Sequence, residues 1–284
     1  MNTTIIEISN RTASIPIQLI SETSLPQFII PLFISSIITV YVAYTLFKNY
    51  IGSPMTIFYL FKFKRLTKRN TLLIRHKLEG IFGSDMILRS TINQVNKFLV
   101  KFKNKPFNLI LNTPGGDVFA TILLSKIFRN YPNKIDVYVP DYAMSGGSLL
   151  TLSCDKIHFN KHSCIGTIDP QVGDLFNFGS ASAWKEVLKF KKNKVNDKSI
   201  IYHRVGKQVE DSIYNYVYSL IKDRCNSPKK LTNFLVKGGV EHIYQIDGNF
   251  LKENGINIIG INEKERKLLN KILWFKSEKT VFGI

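Results

Sequence analysis

Residues 28–47, FIIPLFISSIITVYVAYTLF, run for 20 residues without a charge. As a helix rising 1.5 Å per residue, the segment is about 30 Å long, the thickness of a bilayer's hydrocarbon core. The core helix of a soluble domain ordinarily keeps a polar stripe, whereas this segment is apolar all round. A cleaved signal peptide fits poorly, because the run is too long and residues 1–27 hold Arg11 as their one basic residue. Pro31 falls in the first turn, where a helix tolerates it. The segment therefore reads as one transmembrane helix.

Its flanks suggest an orientation. Residues 1–27 carry Glu7, Glu22 and Arg11, while residues 48–70 carry Lys48, Lys62, Lys64, Arg65, Lys68 and Arg69 and no acid. The positive-inside rule places this collar, and everything after it, on the cytoplasmic side of a single-pass protein. The stretch MTIFYLFKFKR (55–65) mixes aromatics with bases and is expected along the lipid headgroups, so residues 28–70 would contact membrane lipid. Over the whole chain, 39 Lys and Arg stand against 21 Asp and Glu, a formal charge of +18. Lipid accounts for part of that basicity, and nucleic-acid binding has only the charge to recommend it. The three cysteines (Cys154, Cys164 and Cys225) lack CxxC spacing, which argues against a disulfide framework or a thiolate zinc site. No metal constellation is visible and no cofactor is implied.

From residue 71 the pattern alternates. TLLIRHKL (71–78) reads as a strand and residues 84–102 as a helix, with Ile87, Thr91, Val95, Phe98 and Phe102 on one face and Ser84 or Asp85 as cap. FNLILN (107–112) is a strand, 117–131 a helix opened by Asp117 and stopped by Pro132, IDVYVP (135–140) a strand, 145–153 a short buried helix, and KIHF (156–159) a strand. Strands and helices in turn imply crossover units and a largely parallel sheet. Longer helices follow at about 197–223 and 228–237. The stretch 262–279 reads as a basic amphipathic helix, packed on the domain or lying on a membrane.

Two glycine turns stand between strands and helices. NTPGGD (112–117) can aim backbone amides at an anion or oxyanion. YAMSGGSLL (142–150) sets Ser145 at a helix start, where it could be a nucleophile or an ordinary N-cap. Together, NTPGGDVFATILLSKIF, VPDYAMSGGSLLTLSCDKI, HSCIGTIDPQVGD and GGVEHIYQI (238–246) resemble the serine dehydrogenase proteinase family of the Clp protease/crotonase superfamily, related to signal peptide peptidase A.

The resemblance covers about 71–260. It implies an α/β, Clp/crotonase-like repeated β-β-α core with a largely parallel sheet, here preceded by one transmembrane helix. The domain plan is then a short segment 1–27, the span 28–47, the basic juxtamembrane segment 48–70, a peptidase domain 71–260 and a C-terminal helix 261–284. The resemblance implies a serine endopeptidase that hydrolyses peptides or membrane-protein segments, with Ser145 as nucleophile, the amides of Gly116 and Gly146 as oxyanion hole, and assembly into homo-oligomers. Clp proteases place a histidine near the position held here by Asp169, so Asp169 is expected in a supporting role, and relatives of signal peptide peptidase A use a lysine base from a later helix. Lys207 is the first candidate, with Lys198, Lys194 and Lys192 behind it. His203, His158 and His162 read first as structural or solvated, and His242 matches a family histidine of unassigned role. A catalytically inactive membrane scaffold on the same fold is the alternative, and acyl-CoA chemistry of the crotonase type a third reading.

Overall fold

The structure is a computed structural model that describes residues 24–47, 53–76, 86–103, 105–174, 177–191, 196–237, 244–275 and 280–284. Residues 1–47 and 48–284 form two separate compact units. The first contains α1 (Ser24–Phe47), whose window Ile29–Leu46 has a mean hydropathy of 2.0 and no buried residue. Four of its hydroxyls bond within the helix: Ser35 donates to the Leu32 carbonyl at 2.9 Å, and Ser36, Thr39 and Thr45 to those of Phe33, Ser35 and Tyr41 at 2.8 Å each. Serine and threonine in helices commonly return their hydroxyls to the preceding turn in this way.

The second unit runs α2 (Ser53–Thr67), β1 (Asn70–Arg75), α3 (Arg89–Phe102), β2 (Phe107–Asn112), α4 (Val118–Arg129), β3 (Ile135–Val139), β4 (Tyr142–Ala143), α5 (Gly146–Leu152), β5 (Lys156–Phe159) and β6 (Cys164–Ile165). It continues through β7 (Gln171–Gly173), β8 (Phe178–Ser180), α6 (Ala181–Lys191), α7 (Asp197–Ile221), α8 (Pro228–Val236), β9 (Ile246–Asp247), α9 (Gly248–Glu253), β10 (Ile258–Gly260), α10 (Glu263–Trp274) and β11 (Val281–Gly283). The main sheet has the order β10-β5-β3-β2-β1-β11, parallel throughout except for β11. Short strands β4, β6 and β9 build a second sheet, so each of β3 and β5 is followed by a strand that leaves the main sheet. This is the expected α/β core with its β-β-α repeats.

The central strands are buried on both faces, and their alternation sorts them into two layers. Leu72, Ile74, Leu109, Leu111, Val137 and Val139 join one core cluster with residues of α3, α4, α5, α7 and α8. Leu73, Ile110 and Tyr138 point the other way, into a cluster with Leu60 and Phe63 of α2, Leu269 and Ile272 of α10, and Phe282 and Ile284. The stretch expected along the headgroups at 55–65 is thus half protein-facing: Thr56, Leu60 and Phe63 are fully buried, and Phe63 meets Tyr138 edge-on at 5.1 Å. The C-terminal helix takes the packed of its two readings. Arg75 fastens it, donating from Nη1 to the carbonyls of Ile272 (2.8 Å) and Phe275 (2.9 Å); burial lowers the Arg75 pKa to about 10. Segments 48–70 and 261–284 therefore share a core with the domain between them.

Three boundaries differ from expectation. The C-terminal helix expected to 279 ends at Trp274, and Val281–Gly283 instead form β11, drawn into the sheet by pairing with the edge of β1. The first strand ends at Arg75. The first helix of the domain starts at Arg89, because Ile87 is held extended in a bridge to Gly116, its N–H donating to the Gly115 carbonyl and its carbonyl accepting from the Asp117 N–H. Thr91 Oγ1 then accepts the Leu88 N–H at 3.2 Å. The cap candidates Ser84 and Asp85 lie outside the described residues.

Burial of α2 carries a clear consequence. Phe63→Ala should lower the unfolding free energy by about 3–5 kcal/mol, whereas Phe61→Ala on the exposed face of the same helix should stay within about 0.5 kcal/mol. Chemical denaturation of both variants checks it.

Candidate active site

The chain folds the two glycine turns onto each other. Thr113, which follows β2, donates its N–H to the Tyr142 carbonyl at 3.2 Å and accepts the Met144 N–H at 2.9 Å. This two-bond clamp fixes the residues that lead into Ser145. Gly115 lies so near that a methyl group on it would sit 2.9 Å from Ser145 Cβ, at a φ of +113° that disfavours any side chain. Gly116 is pressed on Ile87, whose carbonyl would be 2.3 Å from an added Cβ. Thr113 Oγ1 accepts the Gly115 N–H at 3.1 Å and contacts His76 Nδ1 at 3.0 Å, which holds the Pro-Gly-Gly turn from behind.

Ser145 occupies the N-cap position of α5 with φ 48° and ψ −115°, a strained conformation for a residue with a side chain, and its hydroxyl makes no capping bond. The ordinary N-cap reading therefore loses its basis. Such a turn lifts a side chain out of the backbone's own hydrogen bonding, as sharp strand-to-helix elbows do for nucleophiles. Gly146 follows it against α4, where an added Cβ would lie 2.6 Å from Thr121 Oγ1. Behind the turn, the Oγ of fully buried Ser148 lies 2.8 Å from the Ala143 carbonyl and 2.7 Å from that of Gly166, sharing its one O–H between them, and accepts the Gly166 N–H at 2.9 Å, which ties α5 to β4 and to the loop after β6.

Ser145, Gly116, Gly146 and Asp169 line one cavity of about 340 Å³. Its walls are largely apolar: Met86, Val118, Ile122, Leu149, Phe178 and Ile213. The Asp169 side chain is buried, its carboxylate accepting from Thr167 Oγ1 at 2.8 Å and Gln171 Nε2 at 2.7 Å. Among the described residues, no side chain hydrogen-bonds to Ser145 Oγ, and the N–H groups of Gly116 and Gly146 donate to no backbone carbonyl.

Lys207 lies on α7, the helix that gives Ile213 to the cavity, but is not itself a lining residue. Its Nζ is 2.9 Å from both Glu210 Oε1 and Asp211 Oδ1. Hydrogen bonds to Asp211 and then Glu210 raise its pKa above the ordinary lysine value, so in this arrangement it is an ion-paired ammonium. Lys198 is exposed and 3.7 Å from Asp174. Lys192, Lys194 and His242 lie outside the described residues. His203 Nδ1 is 3.1 Å from the Ala181 carbonyl. His158 faces the α2–α10 layer, stacked on Tyr138 at 4.2 Å and 3.8 Å from Asp136. His162 lines a separate cavity of about 650 Å³ beside Asp141, Met144 and Cys164. Sequence reasoning passed over Thr113 and Ser148; the spacing Ser-Gly-Gly-Ser, which puts Ser148 one helical turn inside the protein, was the available signal.

The described residues contain no group of three or more His, Cys, Asp or Glu able to hold a metal ion. Among solved structures, the fold is similar to a mutant of the membrane-bound stomatin-specific protease 1510-N (TM-score 0.46, 15% identity, covering 66% of this chain and 79% of that one). It is also similar to ClpP1 from Listeria monocytogenes (TM-score 0.45, 15% identity, 71% of this chain and 98% of that one). Two uncharacterized proteins of Methanocaldococcus jannaschii are related in sequence. One is 33% identical over 201 residues, which span 67% of this chain and 69% of the relative. The other is 32% identical over 158 residues, 55% of this chain and 53% of the relative. Residues 21–271 match the ClpP-like, SDH-type serine proteinases, and the chain belongs to that family.

Proposed function

We propose that the chain is a membrane-anchored serine endopeptidase in which Ser145 attacks the scissile carbonyl of a peptide or membrane-protein segment. The observation that carries this reading is Ser145 itself, held at φ 48° on the cavity wall beside the backbone amides of Gly116 and Gly146. In the acylation step the Ser145 Oγ–C bond forms, the hydroxyl proton passes to a base, the two amides stabilise the oxyanion, and the base returns that proton to the leaving amine as the C–N bond breaks. Asp169 braces the loop opposite through Thr167 and Gln171. Helix α1 serves as the span, with the basic collar and the peptidase body on the cytoplasmic side.

Lys207 is the proposed base, acting after it leaves Asp211 and Glu210, because a lysine takes a proton only when neutral. The ion pairing seen for Lys207 and the absence of a described base at Ser145 Oγ favour a second reading, a catalytically inactive scaffold. The two readings separate on reactivity.

Membranes carrying the wild type should label with a fluorescent fluorophosphonate, and Ser145→Ala should abolish labelling and reduce peptide hydrolysis by about 10³-fold or more. Folded wild type that neither labels nor hydrolyses any of a peptide library supports the scaffold. Labelling lost in Lys207→Ala as well assigns the dyad. The pH profile adds an independent check. With Lys207 as base, activity climbs as pH rises into the alkaline range; Asp211→Asn removes the larger cause of its raised pKa, so the limb should move to lower pH. A limb that stays in place rejects Lys207.

A further inference from the structure

The outward faces of α2 and α10 carry a pattern that peptide hydrolysis does not use. On α2 the exposed residues are Pro54, Ile57, Phe58, Phe61, Lys62, Arg65 and Leu66, spaced three and four apart and so forming one stripe. The stripe is graded: apolar from Pro54 to Phe61, with its two cations, Lys62 and Arg65, confined to the last two turns beside Leu66. On α10 the exposed stripe runs Glu263, Lys267, Lys271 and Trp274, with Lys267 paired to Glu263 at 2.8 Å; it is graded in the opposite sense along the chain, with the charged groups first and the aromatic last. The large apolar side chains here are well exposed, Phe61 at 51% and Trp274 at 79%.

The two helices bring their apolar ends together. Phe275, just past α10, stacks on Tyr59 of α2 with ring centroids 5.7 Å apart, and its carbonyl accepts from the Thr56 hydroxyl at 3.1 Å. Lys271 Nζ stands 3.5 Å from the Tyr59 hydroxyl. The N-terminal end of α2 is therefore beside the C-terminal end of α10. Ile57, Phe58, Phe61 and Trp274 share one end of the helix pair, and Lys62, Arg65, Lys267 and Lys271 follow one or two turns behind. Lys62 Nζ already folds over the Phe58 ring, 4.4 Å from its centroid.

We propose that this end of the α2–α10 pair is a lipid-docking surface for an anionic bilayer, with the apolar tip in the headgroup–acyl boundary and the cationic collar at the phosphates. The order of chemistry along both helices follows the depth profile of an interface, where apolar groups and tryptophan sit deepest and lysine and arginine reach outward. A bilayer is favoured over a second protein because α2 begins five residues after α1, the helix read as a span. That short tether keeps a membrane at high effective concentration, so even a weakly apolar tip can dock. This inference rests on the span reading for its tether, not for its surface chemistry. Docking occupies the α2–α10 layer alone, while α4 and α5, which line the Ser145 cavity, pack on the opposite face of the sheet.

The test uses the full chain in vesicles of phosphatidylcholine and phosphatidylglycerol, with or without acyl chains brominated near the headgroup. The protein has two tryptophans, Trp184 and Trp274, and the difference between wild type and Trp274→Phe isolates the signal of the exposed one. Trp274 emission should lose at least half its intensity to the brominated lipid, and Phe58→Glu with Phe61→Glu should abolish that loss. Resistance to alkaline carbonate extraction reports the span separately. Protein that resists extraction with Trp274 unquenched overturns the docking surface and leaves the span standing. Protein that is extracted, yet is quenched when mixed with the same vesicles, supports the surface and removes the span. Trp274 that escapes bromolipid but is shielded from acrylamide marks a protein partner and overturns the proposal, as does quenching that survives both glutamates.

Discussion

The pair of backbone hydrogen bonds between Thr113 and the Tyr142–Met144 strand is the constraint from which the site follows. It brings the end of β2 against the residue before Ser145, so the Pro-Gly-Gly turn and the Ser145 turn are packed as one unit. A side chain at Gly115 or Gly116 would collide with Ser145 or with the backbone of Ile87. The strain at Ser145 persists because its neighbours are fixed on every side: Thr113 before it, Thr121 against Gly146, and Ser148 below. Under the proposed function, the apolar walls around the cavity would lower the local dielectric and strengthen the pull of the Gly116 and Gly146 amides on an oxyanion.

The main sheet separates two jobs. Alternate residues of β1, β2 and β3 pack into different clusters. One face supports α4, α5 and α7, which shape the cavity, and the other supports α2 and α10. The two faces share strands but no side chains, so the chemistry of one layer can change while the other keeps its packing.

Much of this was legible in the chain. The strand runs FNLILN and IDVYV, the Asp117 cap and the two glycine turns each have a local signature, and the structure places them as the sequence implies. The role of α2 was harder to read, because MTIFYLFKFKR is apolar on two sides and no periodicity says which side meets protein. Its buried residues Leu60 and Phe63 differ from exposed Phe58 and Phe61 only through partners distant in the chain, Ile110 and Tyr138 of the sheet and Leu269 and Ile272 of α10. The start of α3 was masked in the same way, since Ile87 is extended by a bridge to Gly116 and not by its own neighbours. Lys207 shows the limit of pattern reading at the site. Its place on a long amphipathic helix is visible in the sequence, but its pairing with Glu210 and Asp211 follows from rotamers that the sequence does not state.

The edge of the sheet at β1 is closed by β11, with Leu72 paired to Gly283 and the backbone of Thr71 bonded in both directions to Ile284. A contact of such sequence separation forms late, because the loop entropy of the intervening chain must be overcome first. During synthesis, α2 and β1 would thus emerge long before the strand and helix that cover them. Until then the layer around Leu73 and Phe63 lacks the cover of α10 and β11, so the order of translation itself delays completion of the folded body.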